Sequence, residues 1–328
     1  MRHSVKLIAA ISATVLLLAV AALAVWRALP AGADEMRRSM LLVESATWQE
    51  ICAGGKPVLY FEQWRGDTAL VGVTAHRDSA THRSRHTAFW VNRFGMLPSC
   101  QGRVACVDSV RAGRSFQGST AYMLSMCRRS VDERLATLKH QKSELDYYLR
   151  VHGVQDDGYQ TVAALAVRVG EAYRGVVEAG RIIDSLAANP KLNVTTRSRT
   201  TYTARYRGGD GRWHTAPLAI VSRQPHGVAL LQLPGHATPD GVCAVRRLPW
   251  RVGMAGDVRV VGYGGMGEQG LDSDTVQPCV VPGRVSAAGR HDIPRVLAAD
   301  GSCVYTAKGY FVGLLSGGSV VRLDTGAY

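Results

Sequence analysis

Two blocks of short, strand-like runs are separated by one block of helical period, and that order decides most of what this chain can fold into. From about residue 115 to about 189 apolar residues recur at three-four spacing. Val131, Leu135, Leu138, Leu145, Leu149 and His152 follow it with an interruption at Lys142, and Val162, Leu165, Val169, Ala172, Val176, Ala179, Ile183 and Leu186 follow it without one. Such spacing puts one apolar stripe on each of two helices. "VHGVQDDGY" joins them, and Asn189-Pro190 ends the second, because proline has no N–H and restricts the residue before it. Two helices with so short a connection are predicted to pack as an antiparallel hairpin, with a dimerising coiled coil as the alternative. Ala166, Gly170, Ala172 and Gly180 on the second helix allow close approach to a partner helix or to a β-barrel.

Before the helices, "KPVLYFEQW", "TALVGVTA", "HTAFWVN" and "RVACVDSV" read as strands; after them come "TTYTARYR", "TAPLAIVS", "GVALLQL", "DVRVVGYG", "CVVPGRVSA", "RVLAAD", "CVYTA" and "YFVGLLSGG". Turn residues recur roughly every 8 to 12 positions, the spacing of a barrel or sandwich. The expected organisation is an N-terminal segment at 1–35, a first β portion at 36–112, a helical insertion at 113–190 and the rest of the β domain at 191–328. A hydrophobic content of 46% with 20% charged residues is a globular balance and excludes a disordered chain.

The run from Leu7 to Trp26, "LIAAISATVLLLAVAALAVW", carries no charge, and Arg2 and Lys6 precede it. Its length matches the roughly 20 residues that span a bilayer, so a retained membrane helix is expected. A cleavable signal peptide is the alternative, since "AGA" at 31–33 has the small-x-small form of a cleavage site. Both readings place the rest of the chain outside the cytoplasm, in the periplasm or at the cell exterior, and secreted if the segment is cut. Seven cysteines suit an oxidising compartment, with Cys100–Cys106 and Cys243–Cys279 as plausible local disulfides. No CxxC spacing supports zinc, so no metal is expected.

A net charge of +13 attracts anionic surfaces. The basic residues are scattered and no aromatics interleave with a basic strand, so no nucleic-acid partner is expected. "GYGGMG" at 262–267 satisfies a dinucleotide pattern, but "EQGLDSDTVQPC" follows it without helical period, so a β-turn is expected and no cofactor. His76, His82 and His86 stand close together in a run rich in Arg and Ser, and they read as solvated loop histidines without a metal scaffold. Asn193-Val194-Thr195 is a formal glycosylation sequon.

"TAFWVNRFGML" at 87–97, "DGRWHTAPLAIVSRQPHGVALLQL" at 210–233, "GDVRVVGYG", "PGRVSA" and "LAADGSCVYTAKGYFVGLLSGG" at 297–318 occur in an order and spacing that resemble the trypsin-like (chymotrypsin-fold) serine proteases, in particular the exported bacterial branch that includes the heat-stress proteases. The resemblance covers most of 50–108 and 198–328 and leaves the helices outside. It implies a mainly β, two-barrel trypsin-like fold, to which the helical period adds an inserted helical hairpin and the apolar run at 7–26 an N-terminal transmembrane helix.

The family's chemistry needs a serine activated by a histidine, an aspartate that orients the histidine, and N–H donors for the oxyanion. Carried over position by position, the histidine falls on Gly102, the aspartate on Gly227 and the serine on Asp300, with Ala298 at the glycine that helps form the oxyanion hole. Three such replacements would leave no triad chemistry. A rival register puts Ser302 at the nucleophile position, with Cys303 as a second nucleophile and His226 or His214 as base. The implied function is a membrane-anchored, extracytoplasmic pseudoprotease that binds a peptide or protein in its cleft, by strand addition and pockets, or at the helical hairpin. The alternatives are an active serine endopeptidase using Ser302 and a structural component of envelope assembly.

Overall fold

The computed structural model describes residues 29–66, 69–91, 102–108, 116, 118–189, 192–246, 252–264 and 276–323, with scattered positions between 12 and 22. Two compact units divide the chain: Met1–Ser45 with Ser84–Ser109 and Thr201–Tyr328, and Ala46–Arg83 with Val110–Thr200. In chain order the elements are α1 (Ala33–Arg38), β1 (Met40–Ala53), β2 (Lys56–Phe61), β3 (Gln63–Arg65), β4 (Ala69–Val71), β5 (His82–Val91), β6 (Arg103–Val107), α2 (Thr120–Val151), α3 (Tyr159–Ala187), β7 (Val194–Arg207), β8 (Trp213–Arg223), β9 (Val228–Gln232), β10 (Gly256–Gly262), β11 (Cys279–Val285), β12 (Cys303–Thr306), β13 (Phe311–Ser316) and β14 (Ser319–Val321). The fold is mainly β, with three helices among these elements.

The first sheet runs β2-β1-β5-β6-β9-β8-β7, and β1 also pairs with β7, so six strands close into a barrel. Alternation along β5 shows how the sequence builds it. Ala88 and Trp90 face inward with Val104, Cys106, Ala229 and Leu231, while Phe89 and Val91 face the other way with Ala105, Val228 and Leu230. Both faces are buried, which is why "TAFWV", "VAC" and "VALL" read as continuous apolar runs.

The second sheet, β11-β10-β12-β13-β14, is antiparallel throughout, and bridges at Val285–His291 and Arg290–Ser319 tie its two outer strands to one loop. Val258, Val260, Ile293, Val304, Val312 and Leu315 fill one side. The other side packs on the barrel through Tyr305, Phe311 and Leu314, with the Phe89 and Phe311 rings 5.5 Å apart. Each such aromatic stabilises by roughly 1.5–3 kcal/mol on burial. α1 docks on the same unit: Met36 is fully buried, Glu35 pairs with Arg246, and the Ala31 N–H donates to the Gly309 carbonyl at 2.9 Å.

The second unit contains the expected antiparallel hairpin, α2 and α3. Ser119 caps α2, its hydroxyl accepting from the Tyr122 N–H at 3.3 Å. Val131 and Leu138 from α2 bury with Val176, Ala179, Ile183 and Leu186 from α3. Gly180 lies close enough that an added Cβ would sit 3.7 Å from Val131. The helical core continues into Ile51, Leu59, Phe61, Leu70 and Val73.

Three expectations are corrected or fall outside these residues. Cys243 and Cys279 are free thiols, because Cys243 is held at a loop by its N–H bond to Arg38 while Cys279 opens β11 opposite Gly262. Cys100 lies outside the described residues, and the six described cysteines form no disulfide. Among the described residues no helix is long and apolar enough to cross a membrane; most of Leu7 to Trp26 lies outside them. Of "GYGGMG", Gly262 ends β10, residues 263 and 264 follow it without regular structure, and the remaining three lie outside the described residues.

Candidate functional site

β6 and β9 are antiparallel neighbours, and their shared end sets the site. There Asp108 follows β6 and Gly227 precedes β9, with the Asp108 N–H donating to the Gly227 carbonyl at 2.7 Å. His226 and Gly227 both hold left-handed backbone, at φ 61° and 74°. For a histidine this is a strained conformation, of the kind that concentrates at working sites. The turn between β13 and β14 reaches the same place: Ser316 Oγ donates to the His226 carbonyl at 2.9 Å, and the Gly317 N–H donates to Asp300 Oδ1 at 3.1 Å. A cleft of about 770 Å³ opens here, lined by His226, Met254, Ser316, Val320 and Arg322 among others.

Of the positions carried over from the family, Gly227 follows the cleft residue His226 and Asp300 accepts from the cleft residue Gly317, whereas Gly102 does not line the cleft. Gly102 precedes β6, five residues of strand away from Asp108, and an added Cβ there would lie 2.5 Å from the Ala237 carbonyl oxygen. At the Gly227 end of β6 stand Val107 and Asp108. Ala298 is buried, its N–H donating to the Pro294 carbonyl at 3.2 Å. Gly301 has φ 92° and packs where a Cβ would overlap the Thr87 carbonyl, which fixes the turn that presents Asp300.

The fallback nucleophiles are shut away. Ser302 has 0% exposure, and its hydroxyl donates to the Ala299 carbonyl at 2.7 Å. Cys303 is equally buried, and desolvation pushes its thiol well above the usual range, so the reactive thiolate is disfavoured. As for the fallback bases, His226 is exposed and meets Ser316 only through its own carbonyl. His214 sits on β8, its Nε2 3.0 Å from Asp210 Oδ1 and its ring stacked on Tyr206.

A polar cluster that the sequence reading missed fills one end of the barrel. His86 Nε2 lies 2.9 Å from Ser84 Oγ and 3.1 Å from Ser45 Oγ, and the two hydroxyls are 2.7 Å apart. Asp108 accepts from Tyr202 Oη at 2.6 Å and from Arg223 Nη1 at 2.7 Å. Burial lowers the His86 pKa against the opposing pull of Asp108, and burial with the Asp108 bond raises that of Tyr202. The reading of His86 as a solvated loop residue is therefore corrected: it belongs to β5 and is half-buried. His82 is exposed at the start of β5, and His76 precedes a single helical turn at Arg77–Ala80. No group of His, Cys, Asp and Glu suited to a metal occurs among the described residues. The aspartate closing "RVACVD" was the one available signal for this cluster.

No protein-family model matches the chain, and no curated protein is similar to it. Solved structures similar to it include the protease domain of MamO from Magnetospirillum magneticum in its apo form, 17% identical over 37% of this chain and 68% of that one, with a TM-score of 0.25. Another is Deg5, 17% identical over 38% of this chain and 65% of that one, with a TM-score of 0.26. The chain thus spans about two thirds of each, and the functional reading rests on its own side chains.

Proposed function

We propose that this chain is a protease-like protein without triad chemistry, an extracytoplasmic, membrane-anchored pseudoprotease whose cleft holds a peptide or protein segment. The observation that carries the reading is Ser302: it is fully buried and donates its hydroxyl to a carbonyl, and no histidine nitrogen among the described residues reaches it. Asp300 supports it, because a carboxylate bonded to the Gly317 N–H would repel the negative charge that acyl transfer develops. Recognition falls to the pocket and not to strand addition at β14, since the Val320 N–H of that strand already donates to the Gly289 carbonyl.

The test is a fluorophosphonate probe together with an unfolded protein substrate, applied to the wild type and to the Ser302→Ala and Ser84→Ala variants. No labelling and no cleavage by folded protein is the expected result. Labelling that disappears in either variant would overturn the reading in favour of an active serine hydrolase. The assembly reading has one observation of its own, the exposed Tyr147, Val151, Val154 and Val167 near the distal end of the hairpin. A concentration-dependent oligomer abolished by Tyr147→Glu would support it.

A further inference from the structure

We infer that the cleft is selective for an extended peptide carrying an acidic side chain; the inference rests on the binding role proposed above and adds the chemistry of the occupant. Among the described residues neither Asp nor Glu lines the cleft, whereas Arg322 and His226 do, contributed by the end of β14 and by the turn before β9. Asp300 approaches it only through its bond to Gly317.

Arg322 is anchored and still available. Its Nη2 donates to the Val252 carbonyl at 2.6 Å, and no described acidic side chain pairs with it. A guanidinium held by one bond keeps the rest of its planar fork for a carboxylate, with little further loss of side-chain freedom on binding. The His226 imidazole makes no hydrogen bond or ion pair with a described residue, and the left-handed backbone at 226 and 227 holds it in the turn beside the cleft. A backbone strain that no internal contact of the imidazole repays marks a residue kept for its position.

The remaining lining argues for a peptide over a bare anion. Pro225, Met254, Ala288 and Val320 give the cleft an apolar wall, which a small inorganic anion would leave unfilled. At about 770 Å³ the cleft has room for several residues of extended chain. The net charge of +13 adds a long-range field that draws an acidic segment toward the protein and repels a basic one.

The experiment is fluorescence anisotropy on the full-length protein with three labelled peptides of one apolar host sequence, carrying two Glu, two Gln or two Lys. The Glu peptide is expected to bind about tenfold more tightly than the Gln peptide, with binding that weakens as salt rises. Arg322→Gln should abolish that preference and Arg322→Lys should restore part of it. His226→Asn, which tolerates the left-handed turn, should weaken the Glu peptide alone. Circular dichroism melts of the variants check that each is folded, which an exposed position favours.

Equal binding of the Glu and Gln peptides, or a preference that survives Arg322→Gln, overturns the inference and leaves the binding role standing. Displacement of the Glu peptide by inorganic phosphate as readily as by unlabelled peptide overturns it too, since a general anion site would then suffice. Failure of all three peptides to bind overturns both the inference and the binding role. Fluorophosphonate labelling of the same sample would instead identify a failure of the non-catalytic reading itself.

Discussion

Ser302 and His86 are both polar residues turned into the fold, and they differ in what a change of conditions should do to them. Replacing Ser302 by alanine removes one neutral hydrogen bond, while the Ala299 carbonyl still accepts from the backbone N–H of residue 302 at 3.1 Å. The expected cost is about 1 kcal/mol, read as a fall of roughly 2–4 °C in Tm, with no change in probe reactivity. A larger loss is expected from Gly262→Ala, whose methyl would overlap the Ser302 hydroxyl. His86 responds to pH. Burial lowers its folded pKa below the ordinary value of 6.5, so the unfolded chain binds the proton first. The stability it contributes is complete above pH 6.5 and is lost as pH falls from there through the lowered folded value. Urea midpoints taken from pH 7.5 to 5 should therefore decline less in His86→Gln than in the wild type. Ser84, Ser45, Asp108, Tyr202 and Arg223 are the groups to hold constant in that comparison. None of this cluster was legible as a site, because "HRSRH" has the composition of an exposed loop. A polar residue pointing into a barrel and one pointing at solvent look the same in a period-2 pattern.

Glycine separates packing from propensity within one element, α3. Gly170 has nothing within 4 Å of an added Cβ, so Gly170→Ala should stabilise the helix by about 0.5–1 kcal/mol. Gly175 is five residues on, and its added Cβ would overlap the His76 ring and lie 2.9 Å from Thr74 Oγ1. Its carbonyl also accepts from the Ala75 N–H at 3.2 Å. Gly175→Ala should destabilise despite the better propensity, by about 1–3 kcal/mol, because the segment 74–76 must shift. Thermal melts of the two variants in parallel, moving in opposite directions, check the pair; a common direction would show that propensity or packing alone governs this helix. The helices were the most readable elements, since their stripes bury where the spacing placed them: Val131 and Leu138, then Val169, Val176, Ala179, Ile183 and Leu186. Leu165 follows the same spacing yet stays 42% exposed, because the hairpin outruns its core there. The stripe of α2 was read only from Val131, although its block was placed from about residue 115, and the whole of β1 at Met40 went unread. "TAYMLSMC" and "MLLVESATWQEICA" are short apolar runs that fit a strand or a helix until their partners are known.

At the scale of the whole chain, seven cysteines in a polypeptide expected outside the cytoplasm pose a question that composition alone answered with disulfides. The fold answers it differently, by distributing the six described thiols among separate surroundings. Cys52 and Cys127 are buried in the second unit. Cys106 and Cys303 are buried in the first, where Cys243 is half-buried and Cys279 is exposed. Desolvation is the first cause of the raised pKa at Cys106 and Cys127, each pushed up to about 12, so the thiolate that would attack an oxidant or a partner disulfide is almost absent at neutral pH. Burial therefore does for these thiols what pairing does in small secreted domains: it removes their reactivity, while a chain of this length has core enough to be stable without cross-links. Maleimide mass labelling of the folded protein should modify Cys279 fast and Cys243 slowly, and should reach Cys52, Cys106, Cys127 and Cys303 only after denaturant is added. The same Tm with and without a reducing agent is expected alongside. A band shift between reducing and non-reducing gels, or protection of Cys279 in the native protein relieved by reductant, would restore the disulfide expectation.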